Sequence, residues 1–276
     1  MKKMVKVLSI LLVGLFFVSA CGNGKTTKNS ESAEKEVPEE LTLYVVRHGK
    51  TMLNTTDRVQ GWSDAVLTPA GEEVVTACGI GLKEIDFQNV YSSDSGRAIQ
   101  TADLIIKENK NASDMKVTTD PRLREFNFGT YEGDLNETMW QDIADDQGVT
   151  LEEFMKNMTP KSFANSVAKL DKGRDEEGLN WPAEDYETIT SRLKEGLDEI
   201  VAKEMKHNGG SGNVLITSHG LSISALLDTL SDDFKIPEGG LKNASVSIIK
   251  YKDGKYSLGE INDLSYVEAG KKEATK

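Results

Sequence analysis

A layered α/β domain is the fold class this sequence predicts, on three observations. From Leu41 onward, short strand-like apolar runs alternate with helical patterns, which is how helices come to pack on a sheet. Two of those runs end alike, residues 41–46 passing into Arg47-His48-Gly49 and residues 213–217 into Ser218-His219-Gly220. Strands meet ligands in this way at the carboxyl edge of an open sheet. Residues 183–206 carry Tyr186, Ile189, Leu193, Leu197 and Ile200 at steps of three and four, the apolar stripe of a long helix.

Residues 1–20 stand outside that domain. Lys2, Lys3 and Lys6 accompany an uncharged apolar run, 7–20, that is too short to span a bilayer comfortably and is laid out as a secretory signal peptide. Val18-Ser19-Ala20-Cys21-Gly22 resembles the bacterial lipobox. That resemblance implies cleavage before Cys21, lipid on its sulfur, and attachment to the cell membrane at its extracytoplasmic face. Residues 22–40 are Lys, Ser, Thr, Asn and Glu with almost nothing apolar, so burial cannot offset their ordering entropy. Together with Cys21 they read as a disordered tether (21–40) spanning roughly 25 Å. Cys78 is then the remaining thiol, placed by its small and apolar neighbours in a helix core. The formal charge of −12 becomes more negative once the N-terminal lysines leave, which argues against nucleic acid or an anionic membrane surface as ligand. A small anion remains compatible, because screening confines the bulk repulsion to about 10 Å.

The folded domain is predicted over 41–268, followed by a charged tail, 269–276. After the first strand (41–46), Thr68-Pro69 supplies an N-cap and first helical residue for a helix to about Leu82. A short buried strand (89–92) precedes a helix from Gly96 to Ile106, and residues 115–118 form a further strand ended by Pro121. Residues 134–181 break the rhythm with short helical pieces near 139–143 and 151–155 and a charged run near 171–177. They read as a cap inserted over a sheet edge, too poor in apolar residues for a core of their own. The long helix 183–206, a strand at 213–217 and a helix at 221–230 follow. Two last strands, 244–250 and 255–261, are joined by Asp253-Gly254, a hairpin signal.

Strand ends thus deliver His48 and His219 towards one edge, and Ser92-Ser93-Asp94-Ser95-Gly96-Arg97 adds Arg97 to Arg47 there. Two His and two Arg without a Cys/His/Asp ligand set do not make a zinc site. They suit a phosphoryl group, whose oxygens need several converging donors. The helix starts after His48, Ser93 and His219 would add backbone amides. A neutral, oriented His can act as nucleophile, and a partly desolvated carboxylic acid can protonate the leaving oxygen. Glu125, flanked by apolar residues in Leu123-Arg124-Glu125-Phe126-Asn127-Phe128-Gly129, is the candidate acid. His207 follows the long helix, where a His suits the helix dipole, and is given no role.

These motifs, in this order, resemble the histidine phosphatase superfamily, the group related to phosphoglycerate mutase. The resemblance runs from about Leu41 to Asp263. It rests on Arg47-His48-Gly49 with Thr51 and Asn54, on Arg58-Val59-Gln60-Gly61, and on Ser92-Ser93-Asp94 through Arg97. The Glu125 segment, Thr217-Ser218-His219-Gly220 and Leu241-Lys242-Asn243-Ala244-Ser245 complete it. It implies a three-layer α/β/α sandwich with a mostly parallel central sheet. It implies His48 as the phosphorylated nucleophile, with Arg47, Arg97 and His219 around the phosphate. Glu125 is implied as proton donor and acceptor, and Asn54, Arg58 and Gly49 as substrate-binding, with no metal and no cofactor. Lys50 stands where the family usually has Glu or Gln, and Ala183-Glu184-Asp185 matches the family's Gly-Glu-Ser only in part, so Glu184 is given no role.

The expectation is a metal-independent phosphomonoester hydrolase of a phosphorylated small molecule, held to the membrane through Cys21. Phe126-Asn127-Phe128-Gly129 fits the phosphatase branch better than the Arg-His-Tyr-Gly that usually follows the acid in mutases. A phosphoglycerate mutase is the alternative enzyme, and a non-catalytic surface or solute-binding lipoprotein the alternative from another class. In the cap, Met139, Trp140, Phe154, Phe163 and Trp181 would either touch an apolar leaving group or, for most of them, pack the cap onto the body.

Overall fold

The computed structural model describes residues 40–175, 177–207 and 210–275; the segments expected to be a signal peptide (1–20) and a tether (21–40) lie outside the described residues, except for Glu40. In chain order come β1 (Glu40–Arg47), the single turn α1 (Met52–Thr55), α2 (Pro69–Gly81), β2 (Phe87–Ser92), α3 (Gly96–Glu108) and β3 (Thr118–Thr119). The cap holds α4 (Asn136–Gln147), α5 (Leu151–Asn157) and α6 (Pro160–Arg174). Then follow α7 (Tyr186–His207), β4 (Gly212–Ser218), α8 (Gly220–Leu230), β5 (Val246–Lys252), β6 (Lys255–Leu258) and α9 (Ser265–Ala274).

The strands form one mixed sheet in the order β3-β2-β4-β1-β5-β6. β3, β2, β4 and β1 are parallel, while β5 joins β1 antiparallel and turns back through Asp253 and Gly254, both at positive φ, into β6. Alternation along β1 sends Leu41, Leu43 and Val45 into a core with residues of α4 to α8, and Val46 into a second core with residues of α2, α3 and α9. Helices therefore cover both faces of an α/β sheet, as predicted. Cys78 lies in the second core, where burial pushes its thiol up to about 12, so it is no nucleophile.

Several boundaries differ from the sequence reading, each for a local reason. The strand expected at 115–118 shrinks to Thr118–Thr119. The strand expected from 244 begins at Val246, because Ala244 sits at φ 58° and gives its N–H to the Arg47 carbonyl. The long helix starts at Tyr186 rather than 183, with Asp185 accepting the Thr188 N–H at 2.9 Å. The cap contains a third helix, α6, opened by Thr159 in a capping box with Ser162 and by Pro160 at its first turn. Its Phe163, Ala164 and Val167 join the same core as Leu43, so cap and body share one interior. The charged residues set apart as a tail at 269–276 continue α9 through Ala274. Gly270 lets that helix lie on α2, since a Cβ there would fall 1.8 Å from the Ala77 carbonyl oxygen.

Candidate active site

Register builds the site. Arg47 lies opposite Ser218 across β1–β4, and Ser92 opposite Thr217 across β2–β4, so three strands stop level at one edge. Each ladder runs one residue further: the His48 N–H donates to the Ser218 carbonyl at 3.0 Å and the Ser93 N–H to the Thr217 carbonyl at 2.9 Å. His48 and His219 consequently leave the sheet together, both buried, with their rings 5.3 Å apart.

The two imidazoles have opposite tautomers. His48 Nδ1 lies 2.7 Å from the Gly49 carbonyl oxygen, which only accepts, so Nδ1 carries the proton and Nε2 the lone pair. At His219 the roles reverse: Arg97 Nε–H donates to Nδ1 at 3.1 Å, which leaves the proton on Nε2. That Nε2–H is buried without a partner, as is Arg47 Nε. Buried donors left unpaired are costly, and two of them at one strand edge mark a place for an anion. Asn243 Nδ2 fixes the His48 carbonyl at 2.9 Å.

Arg97 is wholly buried and mostly engaged within the protein. Beyond His219 it donates to the Ser63 carbonyl (3.1 Å), to Asp64 (2.8 Å) and to the Gly61 carbonyl (2.7 Å), leaving an Nη2 N–H for a ligand oxygen. Arg47 gives Nη1 to the Leu241 carbonyl and packs on Gly220, where a Cβ would come within 3.1 Å of Nε.

Glu125 reaches the same edge from the segment between β3 and the cap. Its Oε1 accepts from the Ser222 N–H (2.8 Å), the Ser222 hydroxyl (3.0 Å) and the Phe126 N–H (3.0 Å), and its Oε2 from the Leu221 N–H (3.1 Å). His219 lends α8 no side-chain cap, so the carboxylate takes that place at the positive end of the helix. Several of the helix-start amides expected at the anion are thus engaged within the protein. Leu221 and Ser222 serve Glu125, the Gly96 N–H serves Asp64, and the Met52 N–H serves the Val66 carbonyl.

The residues expected to bind substrate have partners within the protein. Gly49 is a positioning residue: its N–H goes to Thr101 Oγ1 (3.0 Å), its carbonyl to His48, and a Cβ would lie 2.6 Å from Val75. Asn54 spends its side-chain oxygen on the Thr51 N–H in the capping box of α1. Arg58 is exposed and donates to the Gly133 carbonyl at 2.7 Å. Glu184, given no role above, makes a two-oxygen ion pair with Arg192 and accepts the Asn127 N–H at 3.0 Å. Arg192 in turn donates to the carbonyls of Arg122, Arg124 and Glu125. The partial Gly-Glu-Ser match at 183–185 was the available signal for Glu184. Among the described residues no group of three or more His, Cys, Asp and Glu is clustered to hold a metal ion.

The fold and this site define the class: the chain belongs to the histidine phosphatase superfamily (branch 1), whose family model matches residues 43–264. It is 29% identical over 217 residues to a probable phosphoglycerate mutase, GpmB, of Erwinia tasmaniensis, covering 77% of this chain and 86% of that one. It is 32% identical to the fructose-2,6-bisphosphatase TIGAR of Bos taurus, over 71% of this chain and 78% of that one. Among solved structures, a phosphoglycerate mutase from Bacillus anthracis superposes with a TM-score of 0.77 at 42% identity, over 85% of this chain and 98% of that one.

Burial, then the Arg97 charge, hold both histidines well below their ordinary value of 6.5; Arg47 acts likewise on each, and His48 on His219. The native state therefore refuses protons that the unfolded chain accepts below about pH 6.5. Stability is fully present above that pH and is lost as pH falls towards the depressed native values. In phosphate-free buffer, the urea midpoint is expected to hold between pH 8 and 7 and to fall between pH 6.5 and 5.5, less so in His219→Gln. A midpoint flat across that window would mean that the histidines are not held neutral.

Proposed function

We propose that this protein is a metal-independent phosphomonoester hydrolase acting through a phosphohistidine at His48. The observation that carries the reading is the tautomer pair: a bare Nε2 lone pair on His48 beside a buried, unpartnered Nε2–H on His219. His48 Nε2 attacks phosphorus while the ester P–O bond breaks. His219 Nε2–H, Arg47 Nε–H and the remaining Arg97 N–H neutralise the phosphoryl oxygens. Glu125 gives its proton to the leaving oxygen. It then takes one from water, whose oxygen displaces His48 and releases phosphate.

The names of two relatives favour a second reading, a phosphoglycerate mutase. A mutase must hold a substrate carboxylate, yet the arginines flanking Glu125 already have carboxylate partners. Arg124 pairs with Asp94, Arg122 with Asp120, and Arg192 with Glu184. Assaying a phosphoglycerate and a panel of phosphomonoesters with a chelator present separates the readings. Inorganic phosphate from several esters is the expected result; an isomeric phosphoglycerate with little free phosphate would favour the mutase, and no turnover the solute-binding lipoprotein. Loss of activity in chelator would sink the metal-free mechanism.

The N-terminal pattern at residues 1–21 supports placing this activity at the extracytoplasmic face, anchored by lipid on Cys21. Labelled fatty acid is expected to enter the wild-type protein and not Cys21→Ser, with the variant found in the soluble fraction. Unlabelled wild type in that fraction would overturn the anchor.

A further inference from the structure

From the Trp62–Trp181 pair we infer a leaving-group platform that selects phosphomonoesters whose alcohol carries an uncharged ring; this inference rests on the phosphate pocket proposed above. Trp62 joins the two ends of the site. The carbonyls of its neighbours Gly61 and Ser63 anchor Arg97, and its own indole N–H donates to the Glu125 carbonyl at 3.0 Å. Trp62 is therefore tied through its chain neighbours to the Arg97 guanidinium and through its indole to the backbone of Glu125.

The backbone beneath it is held as firmly. Glu132 accepts the N–H groups of Gly61, Trp62 and Ser63, and a Cβ on Gly61 would lie 2.1 Å from the Phe126 carbonyl oxygen. Trp181 lies against Trp62 with ring centroids 5.0 Å apart and planes at 60°. Its position is set from both sides: Asn180 Nδ2 donates to the Gly129 carbonyl (2.9 Å), and the Ala183 N–H donates to the buried Asp171 (2.8 Å).

Within the cap, Met139, Phe154 and Phe163 are spent on packing, whereas Trp181 remains 66% exposed. A large ring held in place and left in water presents its face to a ligand. Arg124 lies over Trp62 at 4.8 Å, with its charge answered by two short bonds to Asp94. The platform thus offers aromatic faces beside a guanidinium whose charge is already answered, which suits an aryl or sugar ring.

Two measurements test this. With Trp181→Ala, whose exposure leaves the fold little affected, kcat/KM for phenyl phosphate and glucose 6-phosphate is expected to fall about 5- to 10-fold, mainly through KM. The value for glycerol 3-phosphate should stay within about 2-fold, and Trp181→Phe should recover most of the loss. A fall confined to phenyl phosphate would assign the platform to aryl groups, and one confined to glucose 6-phosphate to sugars. Equal changes on ring and acyclic esters, or no change on either ring ester, would overturn the proposal. Calorimetric binding of phenylphosphonate against ethylphosphonate reads the same preference without turnover. If wild type prefers the phenyl ligand and Trp181→Ala does not, the platform stands even if the hydrolase reading fails; equal affinities in wild type remove it.

Discussion

His48→Ala is expected to lower phosphate release on the order of 10⁴-fold, and to abolish an acid-labile, alkali-stable phosphoenzyme that brief exposure to labelled substrate traps in wild type. A loss of that size corresponds to about 5 kcal/mol of transition-state stabilisation. His219→Ala should slow turnover while the label stays on His48. The asymmetry follows from the hydrogen bonds, since Arg97 engages the His219 lone pair at Nδ1 and so leaves a proton, not a lone pair, on Nε2. Label that persists in His48→Ala, or disappears only in His219→Ala, would reverse the assignment. The His48 ring is buried, so circular dichroism must first show that the variant folds.

That choice between the two histidines marks the limit of what the chain discloses as a sequence. Both strand ends read alike, and their meeting at one edge was legible from the strand-then-His-Gly pattern. The β1–β4 and β2–β4 registers confirm that meeting. Which nitrogen of each ring is bare depends on Gly49 and Arg97, the second of which arrives from another strand–helix junction. Likewise Glu125 could be picked out by its apolar neighbours. Its attachment to the start of α8 could not, because Leu221 and Ser222 lie nearly a hundred residues further on. Thr159-Pro160 opens α6 by the same chemistry as Thr68-Pro69 opens α2, but charged neighbours obscure its short apolar stripe. The platform of Trp62 and Trp181 lay beyond reach for the reason that hides most long-range pairs. Neither residue has a neighbour in sequence that points to the other.

Arg192→Ala is expected to cut kcat/KM about 100-fold for alkyl phosphates and less than about 10-fold for nitrophenyl phosphate. Arg192 touches no reacting atom. From α7 it pins the carbonyls of Arg122, Arg124 and Glu125, while Glu184 holds its guanidinium and the Asn127 N–H. Without it the acid's backbone loses its fixed position relative to the leaving oxygen. An alkoxide needs that proton to depart and a nitrophenolate does not, so the penalty must scale with leaving-group basicity. The ratio kcat/KM isolates this step, because it covers events only through phosphohistidine formation. Arg192→Lys should behave nearly as badly, since an ammonium cannot span two carboxylate oxygens and three carbonyls. Breaking a largely buried pair also costs about 3–5 kcal/mol of stability, which a urea melt would register separately. Equal losses on alkyl and nitrophenyl esters would reduce Arg192 to a purely structural part. A leaving-group-dependent loss makes it the residue through which the long helix sets the aim of Glu125.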